Sequence, residues 1–555
     1  MISKLTSSIK RIPIQNWLVV VLLAISVFGF TESSPIFKTN QWDDTNVSFT
    51  MGKAWIHGIW PYRDLFEQRG PLMYAIYGLA AKISETNFLG LFIIEAGLLI
   101  ASFCVLLKIS KLVGLDKSRF TVSFLAIALF YGSNVFGFGG SPEEICFPIT
   151  AIFFYNILKD FTLEKFPSIP TMLINGIIFA LVFWIKFSLI GFFVGYYVSY
   201  GLFLLFKKQW KSFFALLVYS LIGFAIPAII IIAVFYFGNS LGSMFKVYFI
   251  ENLTMYGNTI SAAGKFFTIF KSMGGDLISH PFTGFLIIFT LAVIGTQFKK
   301  QSHVFYIFST MLGLQFLTVY ISGNTQWYYL LSIVSFVSAL LPNTFKFVIT
   351  NYNFRNTKIN FFRLNTMLVI VGFLLLNGGN TNLRTALFKG QQINPIAAVK
   401  FGKYMREHHT GKKPTLIEYN GIDSGFFLHA GVLPNKKYFE QTNFPIKTFP
   451  YSYRSQINTI KHRKVQYVAI RSNNDRDFRN QLLLKHPAKF TQIVWYDVSN
   501  ARHSAYVPKV LMKNYKLVKT VYTSANGEQI TALLFRERQH PLKSLTSMEK
   551  MMSGD

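Results

Sequence analysis

The sequence predicts a multi-pass α-helical membrane protein of about eleven transmembrane helices, followed by a C-terminal α/β domain outside the bilayer. Three observations predict it. The 555 residues are 51% hydrophobic and 14% charged, where soluble proteins carry roughly a quarter charged residues. Apolar windows recur at lengths that approach or reach a bilayer's thickness, and Lys and Arg concentrate in alternate connections between them. After Asn377 the apolar runs shorten and His, Asn, Lys and Arg become common.

A spanning helix needs about 20 apolar residues at about 1.5 Å each. The windows are 17–30, 88–107, 120–136, 145–158, 172–187, 189–206, 213–237, 282–295, 304–321, 327–341 and 367–376, the shorter ones extending into their flanks. The first follows Lys4, Lys10 and Arg11 with no small-x-small cleavage site after it, and reads as a helix that stays attached. With that basic N-terminus cytoplasmic, the even connections fall inside. They carry Lys108, Lys111, Lys117 and Arg119; Lys159 and Lys165; Lys207, Lys208 and Lys211; Lys299 and Lys300; and Lys346, Arg355, Lys358 and Arg363. The loop 31–87, the segment 137–144, a turn near Lys186, the long connection 238–281, the segment 322–326 and everything after Asn377 then fall outside. Segment 71–83 is too short to cross and contains Gly78 and Lys82, so it is expected as a surface helix with Tyr74 and Tyr77 at headgroup level.

Residues 1–380 thus form a membrane unit and 381–555 an extracytoplasmic α/β domain. In the latter, apolar runs at 415–419, 465–470 and 490–496 alternate with helix-like stretches at 422–430 and 478–485, and 517–522 with 530–535 reads as a hairpin turned at Asn526-Gly527. Cys104 and Cys146 both lie in apolar stretches and read as small buried hydrophobes, with no disulfide framework. The net charge of +30 follows membrane topology rather than nucleic-acid binding.

With only 25 acidic residues, their placement carries information. Asp43, Asp44, Asp64 and Glu67 share the first outer loop, and Glu143 and Glu144 the second. A carboxylate in a partly desolvated cleft can take a proton from a hydroxyl or hold a metal; the plain alternative for Glu143-Glu144 is the acidic first turn of a helix. Outer cations run against the positive-inside tendency. Lys53, Arg63, Arg69 and Lys186 are therefore candidates for a phosphate at the outer headgroup level, the alternative being snorkelling to lipid phosphates.

The first 150 residues resemble glycosyltransferases of the GT-C superfamily, especially the protein mannosyltransferases and the aminoarabinose transferase of lipid A. These carry an acidic pair early in the first outer loop, then surface helices and a Glu-Lys-Pro-Pro-Leu-x-Tyr-like motif. Asp43-Asp44 resembles the pair, and Gln68-Arg69-Gly70-Pro71-Leu72-Met73-Tyr74 resembles the motif, with Gln68 and Gly70 departing from it and Glu67 a substitute for the missing glutamate. Gln326-Trp327-Tyr328-Tyr329-Leu330 resembles the aromatic motif opening a late span. The remaining spans are similar in architecture, and the C-terminal region is similar to extracytoplasmic domains of bacterial members.

The resemblance implies a GT-C-like fold and transfer of sugar from a polyprenyl-phosphate donor; the expected mechanism is direct displacement with inversion, and the Lys-, Ile-, Asn- and Phe-rich composition points to a bacterial cell-wall polymer, teichoic acid or surface glycan as the acceptor. Asp43 or Asp44 would be the base, Arg69, Lys186 and Arg63 would hold the donor phosphate, and Glu143 and Glu144 an acceptor or a divalent cation. Tyr62, Tyr74, Gln326 and Tyr328 would line the cavity. No glycine loop of P-loop or Rossmann spacing is present, so no nucleotide cofactor is expected. Two rival readings are a polysaccharide flippase or transporter, and a polymerase or ligase of lipid-linked glycans. Transporters usually show internal repeats or broken helices at the midplane, and here the charges cluster at the outer boundary instead.

Overall fold

In lipid every backbone N–H and C=O must find its partner within the protein, and the helix supplies it locally. The computed structural model describes residues 14–255, 262–321, 326–351, 361–378, 395–419, 421–444, 446, 448–473, 487–496, 502–525 and 528–542. Its helices begin with α1 (Ile14–Ser26), α2 (Asp43–Ile56), α3 (Pro71–Ile83), α4 (Leu89–Leu112), α5 (Arg119–Tyr131), α6 (Pro142–Thr162), α7 (Ile169–Ile185), α8 (Gly191–Phe206) and α9 (Trp210–Phe237). Then come α10 (241–255), α11 (Ala262–Ser279), α12 (Pro281–Gln297), α13 (Ser302–Tyr320), α14 (Leu331–Asn351) and α15 (Phe361–Gly378). Among the described residues five helices are long and apolar enough to cross a membrane, six if the bent pair α11–α12 is one span, and five shorter apolar helices accompany them. The chain is a multi-pass helical membrane protein. On α9, Leu217, Leu221, Ile222, Ile226, Ile229 and Ile230 are exposed, as lipid-facing side chains are.

The helix α3 is not among the apolar helices. It packs on α2, and Tyr74 and Tyr77 correct the expectation of headgroup-level rings: both are fully buried. Their hydroxyls have internal partners, Glu67 for Tyr74 and the Gly140 carbonyl at 2.6 Å for Tyr77, so nothing draws them to the interface. Cys146 is buried, but Cys104 is exposed on α4, where a small apolar side chain suits lipid. The expected loop 238–281 is instead largely helical. Within it α10 is π-helical over Phe245–Glu251, and residues Phe266–Ser279 of α11 meet α12 at a bend of 102°.

The C-terminal part adds α16 (Pro395–His408), β1 (Leu416–Tyr419), α17 (Phe426–Ala430), α18 (Tyr451–Lys461), β2 (Tyr467–Asn473), β3 (Phe490–Tyr496), β4 (Arg502–Pro508), α19 (Lys509–Asn514), β5 (Tyr515–Ala525) and β6 (Glu528–Glu537). One sheet runs β1-β2-β6-β5, with β1 parallel to β2 and the other pairs antiparallel; β3 and β4 pair separately. The strands of the expected hairpin are paired; its turn, Asn526-Gly527, and the stretch 478–485 lie outside the described residues. Side chains alternate across a strand. Val468 and Ile470 enter a core with Ile460 and Leu511, whereas Tyr467 and Ala469 enter another with Phe401, Phe426, Val47 and Met51. That second core joins the sheet to α2.

Candidate active site

The site begins in the loop between α2 and α3. Tyr62 is held in the left-handed region at φ 67°, a cost of about 1–3 kcal/mol for a residue with a Cβ. Its buried ring packs on Tyr74, and its hydroxyl donates to the Arg69 carbonyl at 2.6 Å. The Arg69 N–H donates to the Tyr74 hydroxyl at 3.0 Å and to Glu67 at 2.9 Å. The main chain at Arg69 is thereby clamped by both tyrosines. Gly70 allows the loop to reach α7: a Cβ there would stand 2.2 Å from the Trp184 carbonyl oxygen and 2.4 Å from that of Ile185. This close approach accounts for the departure from the Pro-Pro motif.

Lys186 follows α7 directly, and a cavity of about 340 Å³ lies between it and Arg69. Its polar lining includes Asp44, Gln68, Arg69, Lys186, Ser188, Tyr248, Asn252, Tyr328, Tyr329 and Asn443, and its apolar lining Ile185, Leu253, Val319 and Ile321. Arg69 pairs with Asp44 and, at 2.5 Å, with Glu67. Burial works against its charge, but Asp44 and then Glu67 outweigh burial and hold the guanidinium well above its ordinary range. Tyr328 donates to the other Asp44 oxygen at 3.2 Å. Lys186 pairs with Glu143 at 2.6 Å, its ammonium 5.0 Å from the Tyr328 ring centre and 5.2 Å from that of Tyr329. Two cations and one carboxylate thus share a small, partly apolar space.

The other candidates stand elsewhere. Asp43 forms a two-contact ion pair with Arg471 of β2 and is not in the cavity wall. Arg63 pairs with Asp64 at 2.7 Å and donates to the Gly238 carbonyl at 2.8 Å, tying the loop to the end of α9 rather than reaching the cavity. Lys53 donates to the Glu85 carbonyl at 2.9 Å. Glu143 sits behind Lys186, and Glu144 is fully buried, accepting from the Gly140 N–H at 2.8 Å. Its own N–H is capped by Ser141, so the pair does open α6. Tyr62 and Tyr74 support the wall from behind, and Gln326 is exposed outside it.

Sequence reasoning missed Tyr248 and Asn252 of α10 and Asn443. Asn252 donates to the Gln68 carbonyl at 2.8 Å, and Tyr248 ties Phe183 to Phe187 across the end of α7. The π turns of α10 that aim them leave no apolar periodicity to read. Among the described residues no group of three or more His, Cys, Asp or Glu side chains has the arrangement of a metal site. Among the described residues Asp44 is the single acid in the cavity wall and already holds an arginine, so these residues do not fit a divalent cation.

No family model and no curated protein matches the chain. Among solved structures, ArnT from Cupriavidus metallidurans bound to undecaprenyl phosphate aligns over 93% of this chain and 98% of its own, at a TM-score of 0.51 and 10% identity. The chain shares the fold of this ArnT structure. The apo form of the same ArnT (TM-score 0.45, 10% identity, 93% and 97% coverage) and the arabinofuranosyltransferase AftD from Mycobacteria are also similar. AftD aligns at a TM-score of 0.45 and 11% identity over 94% of this chain and 40% of its own. In this chain, the start of α2 with Asp44, the loop with Arg69, the end of α7 and the residues leading into α14 surround the cavity.

Proposed function

We propose that the protein is a membrane glycosyltransferase that moves a sugar from a polyprenyl-phosphate donor to an extracytoplasmic glycan or cell-wall acceptor, with inversion. The observation that carries this reading is the cavity itself, in which Arg69 and Lys186 flank Asp44 beside apolar walls within a GT-C fold. The similar ArnT structure has undecaprenyl phosphate bound, and in the present chain two cations beside Leu253 and Ile321 suit a phosphate on an isoprenoid tail. The proposal includes eleven spans, a cytoplasmic N-terminus, a membrane unit over 1–380 and an outer domain over 381–555.

In the proposed reaction the acceptor oxygen attacks the anomeric carbon and its proton passes to Asp44. The bond from that carbon to the phosphate oxygen breaks, and the electron pair leaves with the lipid phosphate, whose charge Arg69 and Lys186 stabilise. The arriving phosphate competes with Asp44 and Glu67 for Arg69, which frees Asp44 to accept a proton. Asp44 is preferred to Asp43 as the base because Asp43 is engaged by Arg471 and stands outside the cavity wall.

The test compares surface-glycan composition in cells lacking the protein and cells restored with variants confirmed in the membrane. D44N should fail to restore the missing sugar, with transfer down about a hundredfold or more. Wild-type transfer by D44N removes the base assignment. If R69M is then inactive, the ligase reading with a diphosphate-linked donor takes its place.

A further inference from the structure

Asp43 and Asp44 are the first two residues of α2, so whatever holds the start of that helix also sets the direction of Asp44. The holding group comes from the far end of the chain. On β2, Tyr467 and Ala469 face the core shared with α2, and alternation places Arg471 on the same side. On β1, Leu416 faces that core too, and alternation brings Glu418 to it. The Arg471 guanidinium meets Asp43 with Nη1 on Oδ1 at 2.8 Å and Nη2 on Oδ2. Both side chains are largely shielded, at 18% and 25% exposure.

The same stripe of α2 is gripped twice more. Gly425 approaches Asn46 so closely that a Cβ would stand 2.7 Å from its side-chain oxygen, and Asp423 accepts from the Thr50 hydroxyl at 2.6 Å. Positions 43, 46 and 50 follow the i, i+3, i+7 spacing of one helical face. Asp44, a step round the helix, meets Arg69 and Tyr328.

We propose that Arg471 is a positioning residue for the transfer reaction: through its forked pair with Asp43 it sets the first turn of α2, and so the aim of Asp44 into the cavity. This rests on the reading of Asp44 as base. The C-terminal sheet then acts as part of the catalytic framework, and it touches the reacting groups only through α2. Without Arg471, the largely shielded Asp43 carboxylate loses its forked partner, and the first turn of α2 loses the contact that holds it to β2. Lysine restores the charge but not the two parallel contacts of the guanidinium fork.

The experiment uses full-length protein and two readouts: undecaprenyl phosphate affinity of the purified protein, and sugar incorporation in cells lacking the wild-type copy. Arg69 and Lys186 are untouched in R471M, so its affinity should stay within about twofold of wild type while incorporation falls about tenfold or more, as small misplacements of a reacting group do. R471K should fall between the two. Wild-type incorporation by R471M overturns the proposal. Parallel loss of affinity and incorporation, in either variant, also overturns it, because it marks a general structural role. If R471M does not accumulate in membranes, R471K decides: incorporation down about threefold or more at retained affinity supports the proposal, and wild-type incorporation refutes it. D44N separates the two readings. Full activity in D44N overturns the base assignment, whereas an inactive D44N beside a fully active R471M overturns the positioning role alone.

Discussion

Lys186 and Glu143 are an ion pair at 2.6 Å in which the Glu143 side chain is fully buried and the Lys186 side chain is 23% exposed, toward the cavity. Removing one partner of such a pair strands the other charge, a cost of about 3–5 kcal/mol, whereas replacing both with neutral groups costs much less. K186M should therefore melt well below wild type in detergent, and K186M/E143Q should recover most of that loss. Undecaprenyl phosphate affinity should fall about tenfold in both, because the phosphate loses its cation either way; recovery of affinity in the double variant would show that Lys186 serves only Glu143. Asp44, Arg69 and Lys186 were legible from sequence because charges so placed run against composition and the positive-inside tendency. The inward turn of Tyr74 and Tyr77 was not, since an interfacial tyrosine and a buried one with a hydrogen-bond partner are the same residue in a sequence. Nor could sequence separate Asp43 from Asp44: one step along a helix is a turn of about 100°, and only the neighbours decide which faces what.

The elements that matter most are α2, α3 and the end of α7, which meet at backbone distance. G70A would put a methyl group into the Trp184 and Ile185 carbonyls and push the Arg69 loop away from Lys186. Overpacking of this kind costs about 1–3 kcal/mol, and the greater separation of the two cations should lower undecaprenyl phosphate affinity about tenfold. Unchanged melting and affinity in G70A would show that the loop shifts without moving Arg69. The apolar helices were readable because apolar length is a local property, and each expected window coincides with a helix. The helices of 241–255 and α11 were not. Their polar positions and the bend at α12 break the run of hydropathy.

On the scale of the molecule, three buried carboxyls, Glu418, Asp423 and Glu440, cluster where the C-terminal region meets α2. Burial pushes Asp423 up to about 6 from 3.8, against the hydrogen bond from Thr50, and it pushes Glu418 and Glu440 well above the usual carboxylate range. A carboxyl raised by folding keeps its proton in the folded chain after the unfolded chain has lost it. Its contribution is therefore complete below about 4 and is lost as pH rises through about 6. The melting temperature of the purified protein should fall between pH 5 and pH 7 by an amount that D423N reduces, since Asn still accepts from the Gly425 and Phe426 N–H groups and can donate to the Thr50 hydroxyl without ionising. An identical slope in D423N would assign the effect to other groups. All the strands of the C-terminal part except β4 could be read from their apolar runs, but β4 and the docking of β2 on α2 could not. Asp43 and Arg471 are 428 residues apart, and nothing local in either segment names the other.

By itself, then, the sequence determined the membrane class, the positions of the apolar helices, the strands of the four-stranded C-terminal sheet and the identity of the charges around the cavity. All of these follow from hydropathy, periodicity and composition, which are written within a few turns of chain. Only the tertiary structure decided that Arg69 and Lys186 share one cavity with Asp44, that Arg63 and Asp43 face away from it, and that the far end of the chain holds the helix on which Asp44 sits. Those facts depend on which faces meet across hundreds of residues, and burial and ion pairing in the folded chain choose among the faces.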